Sequence, residues 1–151
     1  MVMAPEHIKQ QFLRAAAVRY AWEFLGLPYR WGGDDAILGF DCSGLIVEVL
    51  QGVGLLPHGS DMSANGLYIR YAKNVVAKGY AGCLCFWFNT ADLATHVEMM
   101  VDDYHTIGAS GGGSSTTSTD AAAAQNAFIK MRPLGYRGGA YKLVDPFLGA
   151  A

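Results

Sequence analysis

The spacing of apolar residues changes period part-way along the chain. Ile8, Phe12, Ala15, Val18, Trp22 and Leu25 recur at steps of three and four, which predicts one amphipathic helix with its stripe on a core. Pro5 and Glu6 suit the start of that helix, Gly26 suits its C-cap, and Pro28 forbids continuation. The next stretch, LPYRWGGDDAILGF, is rich in glycine and aromatics and predicts a loop. CSGLIVEVLQGVG then reads as a buried helix ending near Gly52 or Gly54. Its short length and the β-branched Ile46, Val47 and Val49 leave a strand reading open. Ser60 and Asp61 mark a cap for a further helix over 61–72.

After residue 80 the pattern shortens to strand-like runs: CLCFWF (83–88), HVEMMV (96–101), HTIGAS (105–110) and AFIKMR (127–132). Asp102 and Asp103 predict a tight hairpin turn between the second and third runs. GGGSSTTSTDAAAAQ (111–125) has no apolar period and reads as a surface loop. Helices first and strands afterwards predict an α+β fold, not alternating βαβ units. With no internal repeat and no linker, residues 1–151 read as a single domain.

Composition narrows the function. Of 151 residues 52% are hydrophobic and 16% charged, which suits a packed domain and argues against disorder. A net charge of −2 without a basic cluster excludes the electrostatic footprint of a nucleic-acid binder. No apolar run has the length of a membrane span. MVMAPEHIKQQFLRAAAV lacks the apolar centre of a signal peptide, so the expectation is a soluble protein that something else delivers if it acts outside the cell. The three cysteines, two of them only two apart on one strand, predict reduced thiols.

Candidate chemistry gathers at Cys42. A thiol at a helix start faces free N–H groups and the positive end of the macrodipole, which predicts a pKa lowered toward the working range. Such a nucleophile needs a base, usually histidine. Of the four histidines, His7 and His58 read as surface residues, and His96 begins an apolar strand. Free cysteine is also a common buried hydrophobe, so spacing alone leaves both readings open.

Taken together, GLPYRWGG, FDCSGLI, LPHGSDM, GYAGCLCFWF, HVEMMV and TIGAS resemble the NlpC/p60 cysteine peptidases, papain-like enzymes that cut the peptide stems of bacterial cell walls. The resemblance runs in order from Leu25 to Ser110. It implies a papain-like α+β fold, with N-terminal helices packed on a small antiparallel sheet and no metal or cofactor. It also implies Cys42 as nucleophile, His96 as base, Asp41 and Ser43 as substrate-contacting positions, and the Tyr29 hydroxyl near the nucleophile. The implied partner is a peptidoglycan stem peptide. Delivery by a phage tail or lysis system, with tail proteins as further partners, is the expectation for a chain without a leader.

Two positions depart from the family pattern. Gly82-Cys83-Leu84 stands where an acidic turn residue is usual. A zinc site from Cys83, Cys85 and His96 would have three ligands, two of them on one strand, and is set aside. At the second departure, Gly108 occupies the strand position where a polar side chain usually orients the base. His105 is expected opposite Met100, roughly 13 Å along the strand from His96, too far to substitute. Glu98, Thr106 and Ser110 share a face with His96 or Gly108 and are the remaining side-chain candidates, beside a water or a backbone carbonyl. The sequence does not choose among them.

Overall fold

The computed structural model describes residues 5–35 and 37–150; the first four residues of the leader reading and Ala36 of the loop lie outside them. The first helix, α1 (Glu6–Trp22), stops short of the expected Leu25, and its buried stripe is rotated from the predicted one. Ala17, Ala21 and the following Phe24 are buried, whereas Phe12, Trp22 and Leu25 are 72%, 40% and 44% exposed. Two stripes of helical period fit this sequence, and small size and polar anchors select between them. The alanines let α1 approach the second helix, where a Cβ on Gly52 would lie 2.7 Å from Tyr20 Cδ1. Tyr20 donates to Glu48 at 2.7 Å, and Arg14 pairs with the buried Asp145.

The stretch read as a plain loop holds a two-stranded hairpin, β1 (Asp34–Asp35) with β2 (Gly39–Phe40). α2 (Cys42–Gly52) is a helix, which closes the strand alternative. α3 spans Ala64–Tyr71 and is capped by Ser63, whose Oγ accepts from Gly66 N–H at 3.0 Å. The expected cap, Ser60, instead donates to the Pro57 carbonyl.

A six-stranded sheet follows: β3 (Val75–Val76), β4 (Leu84–Phe88), β5 (Ala94–Met100), β6 (His105–Ser110), β7 (Phe128–Pro133) and β8 (Tyr141–Val144). The spatial order is β3-β8-β4-β5-β6-β7 with antiparallel neighbours. The sequence reading missed β3 and β8, runs of two and four residues whose partners are remote in the chain. The glycine-rich 111–125 segment, expected to be loop throughout, contains α4 (Thr119–Ala124), capped by Ser118.

The sheet has two apolar faces. Leu84, Phe86, Val97, Met99, Ile107 and Ala109 face the main core with the helices. Cys83, Cys85, Trp87, Met100 and Leu143 form a smaller cluster on the other side. Register matters most between β5 and β6. Only Met99↔Ile107 and Met100↔Thr106 pair there, while β6 and β7 pair from His105 through Ser110. The first half of β5 therefore splays away from β6. The start of α2 and a cavity occupy the opening.

Candidate active site

Local packing fixes the turn that carries Cys42. Asp41 is the N-cap of α2, its Oδ1 accepting from Gly44 N–H at 2.7 Å, and its Oδ2 accepts from Gly32 N–H at 3.0 Å. Asp41 N–H in turn donates to the Gly33 carbonyl at 3.0 Å. Gly44 is required here, because a Cβ would overlap that same carbonyl oxygen and lie 2.9 Å from Asp41 Oδ1. Asp41 sits at the cavity wall as expected of a substrate-contacting residue, yet both its oxygens already hold backbone N–H groups. With Gly44 and Leu45 donating to Asp41, the N–H groups of Cys42 and Ser43 are the first-turn donors that the helix leaves open.

Cys42, Ser43, Tyr29, His96, Ser110 and Arg137 line one cavity of about 530 Å³. His96, 5% exposed, enters it from β5, and Cys42 enters from α2. The thiol differs from the expectation at one point. Burial, with the nearby Asp41 carboxylate, pushes it up to about 11, against hydrogen bonds from the N–H groups of Val97 and Ser43 and the charge of Arg137. Desolvation is the largest influence on the thiol and opposes the pull of the helix start. The Val97 N–H is available to the sulfur in the part of β5 that is splayed from β6.

Tyr29 is buried beside Cys42. Burial, followed by the charges at Cys42 and Asp41, holds its phenol above the ordinary range, so it remains a proton donor. A Cβ on Gly112 would lie 2.6 Å from Tyr29 Cγ, and the glycine lets the 111–113 loop cover the ring. Ser43 Oγ is 3.3 Å from Asp41 Oδ1.

On the histidine side, Glu98 Oε1 lies 2.9 Å from His96 Nε2. Glu98 is fully buried. Thr106 donates to its Oε2 at 2.6 Å, and Tyr136 donates to its Oε1 at 2.7 Å. Burial by itself would raise this carboxyl. Bonds from His96, Thr106 and Tyr136, with the charge on His96, outweigh it and hold the group below its ordinary value. With Nε2 engaged, Nδ1 is the nitrogen left to face the cavity.

The other side chains expected to orient His96 fall elsewhere. Thr106 reaches Glu98, not His96. Ser110 is buried in the cavity wall and makes no hydrogen bond to His96 among the described residues. Gly108 gives space, since a Cβ there would overlap Glu98 Cγ and lie 2.8 Å from Cδ. His105 pairs one step later than expected, with its carbonyl accepting from Val101, and its Nδ1 sits 3.0 Å from Asp102 on an exposed turn. Cys83 and Cys85 are fully buried in the smaller apolar cluster. No group of three or more potential metal ligands occurs among the described residues.

Tyr136 and Arg137 were not singled out from the sequence. They follow β7 in a glycine-flanked turn with no motif around them. Only the folded chain brings the Tyr136 hydroxyl to Glu98 and the Arg137 guanidinium over the Trp87 ring, 5.9 Å from its centroid.

A helix-borne cysteine and a strand histidine on one cavity, with a buried carboxylate behind the histidine, define a papain-like arrangement. The NlpC/P60 family model matches residues 26–133, and the chain belongs to that family. A 54-residue stretch is 48% identical to the protein named "Probable endopeptidase Rv2190c" of Mycobacterium tuberculosis, and covers 35% of this chain and 14% of that protein. "Probable endopeptidase Mb2213c" of Mycobacterium bovis matches with the same values. The stretch thus spans a small part of the curated relatives. Among solved structures, the peptidoglycan hydrolase RipB (Rv1478) from M. tuberculosis gives a TM-score of 0.69 at 21% identity, covering 95% of this chain and 72% of that one. The P60 domain of antigen MAP1204 from M. avium subspecies paratuberculosis gives 0.66 at 22% identity, covering 91% and 97%. These likenesses establish the fold. No helix among the described residues is long and apolar enough to cross a membrane.

Proposed function

We propose that this chain is a cysteine endopeptidase that hydrolyses an amide in the peptide stem of bacterial peptidoglycan. Cys42 is the nucleophile and His96 the base. The observation that carries this reading is the meeting of Cys42 and His96 on one cavity, with the thiol facing backbone N–H groups and the imidazole backed by a buried carboxylate. Family membership and the names of the relatives support the substrate class.

With burial raising the thiol, attack and proton transfer are coupled. Cys42 Sγ adds to the amide carbonyl carbon while its proton passes to His96 Nδ1. The open N–H groups at the start of α2 stabilise the oxyanion. His96 then protonates the amide nitrogen as the C–N bond breaks and the amine leaves, with a thioester remaining on Cys42. Water attacks the thioester, gives its proton to His96, and releases the acid; the proton returns to Cys42 Sγ. The Tyr29 hydroxyl and the Ser43 side chain face the same space and contact substrate there. Delivery to the wall through a phage tail or lysis system belongs to this reading as well, and binding to tail proteins tests that part of it.

Mass spectrometry of products from defined muropeptides tests the function. The expected result is one cleaved stem amide with the wild type and none with Cys42→Ala. Cleavage by Cys42→Ala would overturn the assignment. No cleavage by either protein across a panel of stem peptides would favour a structural module of the same fold.

A further inference from the structure

We propose that Glu98 is the positioning residue for His96, a carboxylate carried on the base's own strand in the volume that Gly108 leaves empty on the next. The inference rests on the reading of Cys42 and His96 given above. A residue two positions along a strand projects from the same face, and Glu98 uses that relation to reach back to Nε2 at 2.9 Å. Its carboxylate can do so only because β6 offers no side chain opposite. Extending the register set by Met99↔Ile107 and Met100↔Thr106 places Gly108 across from Glu98. A Cβ at Gly108 would overlap Glu98 Cγ and crowd Cβ at 3.0 Å. The two positions therefore share one side-chain volume, and a residue larger than glycine at 108 excludes Glu98 from it.

The carboxylate is held on both of its oxygens. Thr106 Oγ1 occupies Oε2, and Tyr136 donates to Oε1, the oxygen that faces His96. A fully buried carboxylate without partners would be costly, and this one has a donor for each oxygen in addition to the imidazole. Burial and the Glu98 charge hold the Tyr136 phenol above its ordinary value, so it remains a donor. With Thr106 and Tyr136 supplying protons, Glu98 accepts from His96. Nε2 must then carry its hydrogen, which leaves Nδ1 as the nitrogen that takes the Cys42 proton. Thr106 and Tyr136 act through Glu98 and are positioning residues one step removed.

Exchange of the two positions tests the shared volume. Glu98→Ala is expected to lower kcat on a defined muropeptide by at least about 100-fold, because an unheld imidazole loses its tautomer and orientation. Glu98→Ala combined with Gly108→Glu returns a carboxylate from the opposite strand and is expected to recover at least about tenfold of that loss. Glu98→Ala within about threefold of wild type would overturn the proposal. A folded double variant no more active than Glu98→Ala would also overturn it. If Glu98→Ala does not fold, proton NMR of Cys42→Ala and of Cys42→Ala with Glu98→Gln decides. A downfield His96 ring N–H signal that moves upfield with Gln supports the carboxylate contact, and an unmoved signal refutes it. Failure here is distinct from failure of the function: Cys42→Ala that still cleaves sinks the cysteine mechanism, whereas inactive Cys42→Ala beside fully active Glu98→Ala sinks only the role of Glu98.

Discussion

Around Cys42 the supporting contacts are near in sequence. Asp41 caps the helix through Gly44 and ties back to Gly32, and Gly33 closes against Gly44, all within thirteen consecutive residues. Around His96 they are assembled from β5, β6 and the turn after β7, with Tyr136 lying 38 positions from the Glu98 it touches. The first construction is a backbone device, a turn in which a Cβ on Gly33, Gly39 or Gly44 would overlap a backbone oxygen. The second is a side-chain network built across a sheet, in which one side chain fills the space that another position gives up. Backbone devices fail by unfolding or misplacing the turn. Networks fail according to which member is lost, a peripheral donor costing less than the carboxylate it serves.

The largest expected effect lies on the proposed nucleophile. Cys42→Ala should lower kcat/KM by at least about 10⁴-fold in a muropeptide assay while the melting temperature stays near wild type. Gly44→Ala breaks the turn beneath it. Its Cβ meets backbone on one side and the cap on the other, so it should cost about 2–3 kcal/mol, read as a lowered urea midpoint together with lost activity. Tyr136→Phe, on the network side, removes one of the donors to Glu98. It should reduce kcat about 5–10-fold, the kinetic equivalent of about 1 kcal/mol, and leave KM nearly unchanged. A fall in stability as large as that of Gly44→Ala, with kcat preserved, would erase the contrast between the two regions.

Acid dependence sharpens the contrast further. The folded Glu98 carboxyl lies below its ordinary 4.5. Its ionised form therefore stabilises the fold above about that pH, and the contribution is lost as pH falls through the folded value. Glu98→Gln removes the dependence, so the difference in urea midpoint between wild type and variant should narrow on acidification. The smallest effect is expected at His105, which faces Asp102 on an exposed turn. His105→Ala should stay within about twofold of wild-type kcat.

This division also explains what could be read from the sequence. The DCSG turn and strands β4 to β7 were legible, since local chemistry and short-range period set them, and the helix after the turn was favoured over a strand. The burial face of α1 was not, because two stripes of the same period compete, and the choice depends on Asp145 and Glu48, distant in the chain. β8 was missed because its pairing partners lie more than fifty residues away. The raised thiol of Cys42 was misread for a related reason. The helix start is visible in sequence, but the desolvation that overrides it is a property of the packed cavity. Glu98 stood among three side-chain candidates for orienting His96. Register and the volume left at Gly108 set it apart, and neither is written in any short motif.

The central claim, that Cys42 carries the acyl group between the two halves of the reaction, is tested most directly by rapid-quench peptide mapping during turnover of a defined muropeptide. The expected result is a thioester-linked stem fragment on the peptide containing Cys42, absent from Cys42→Ala. Product formed without that adduct, or an adduct on Cys83 or Cys85 instead, would contradict the account.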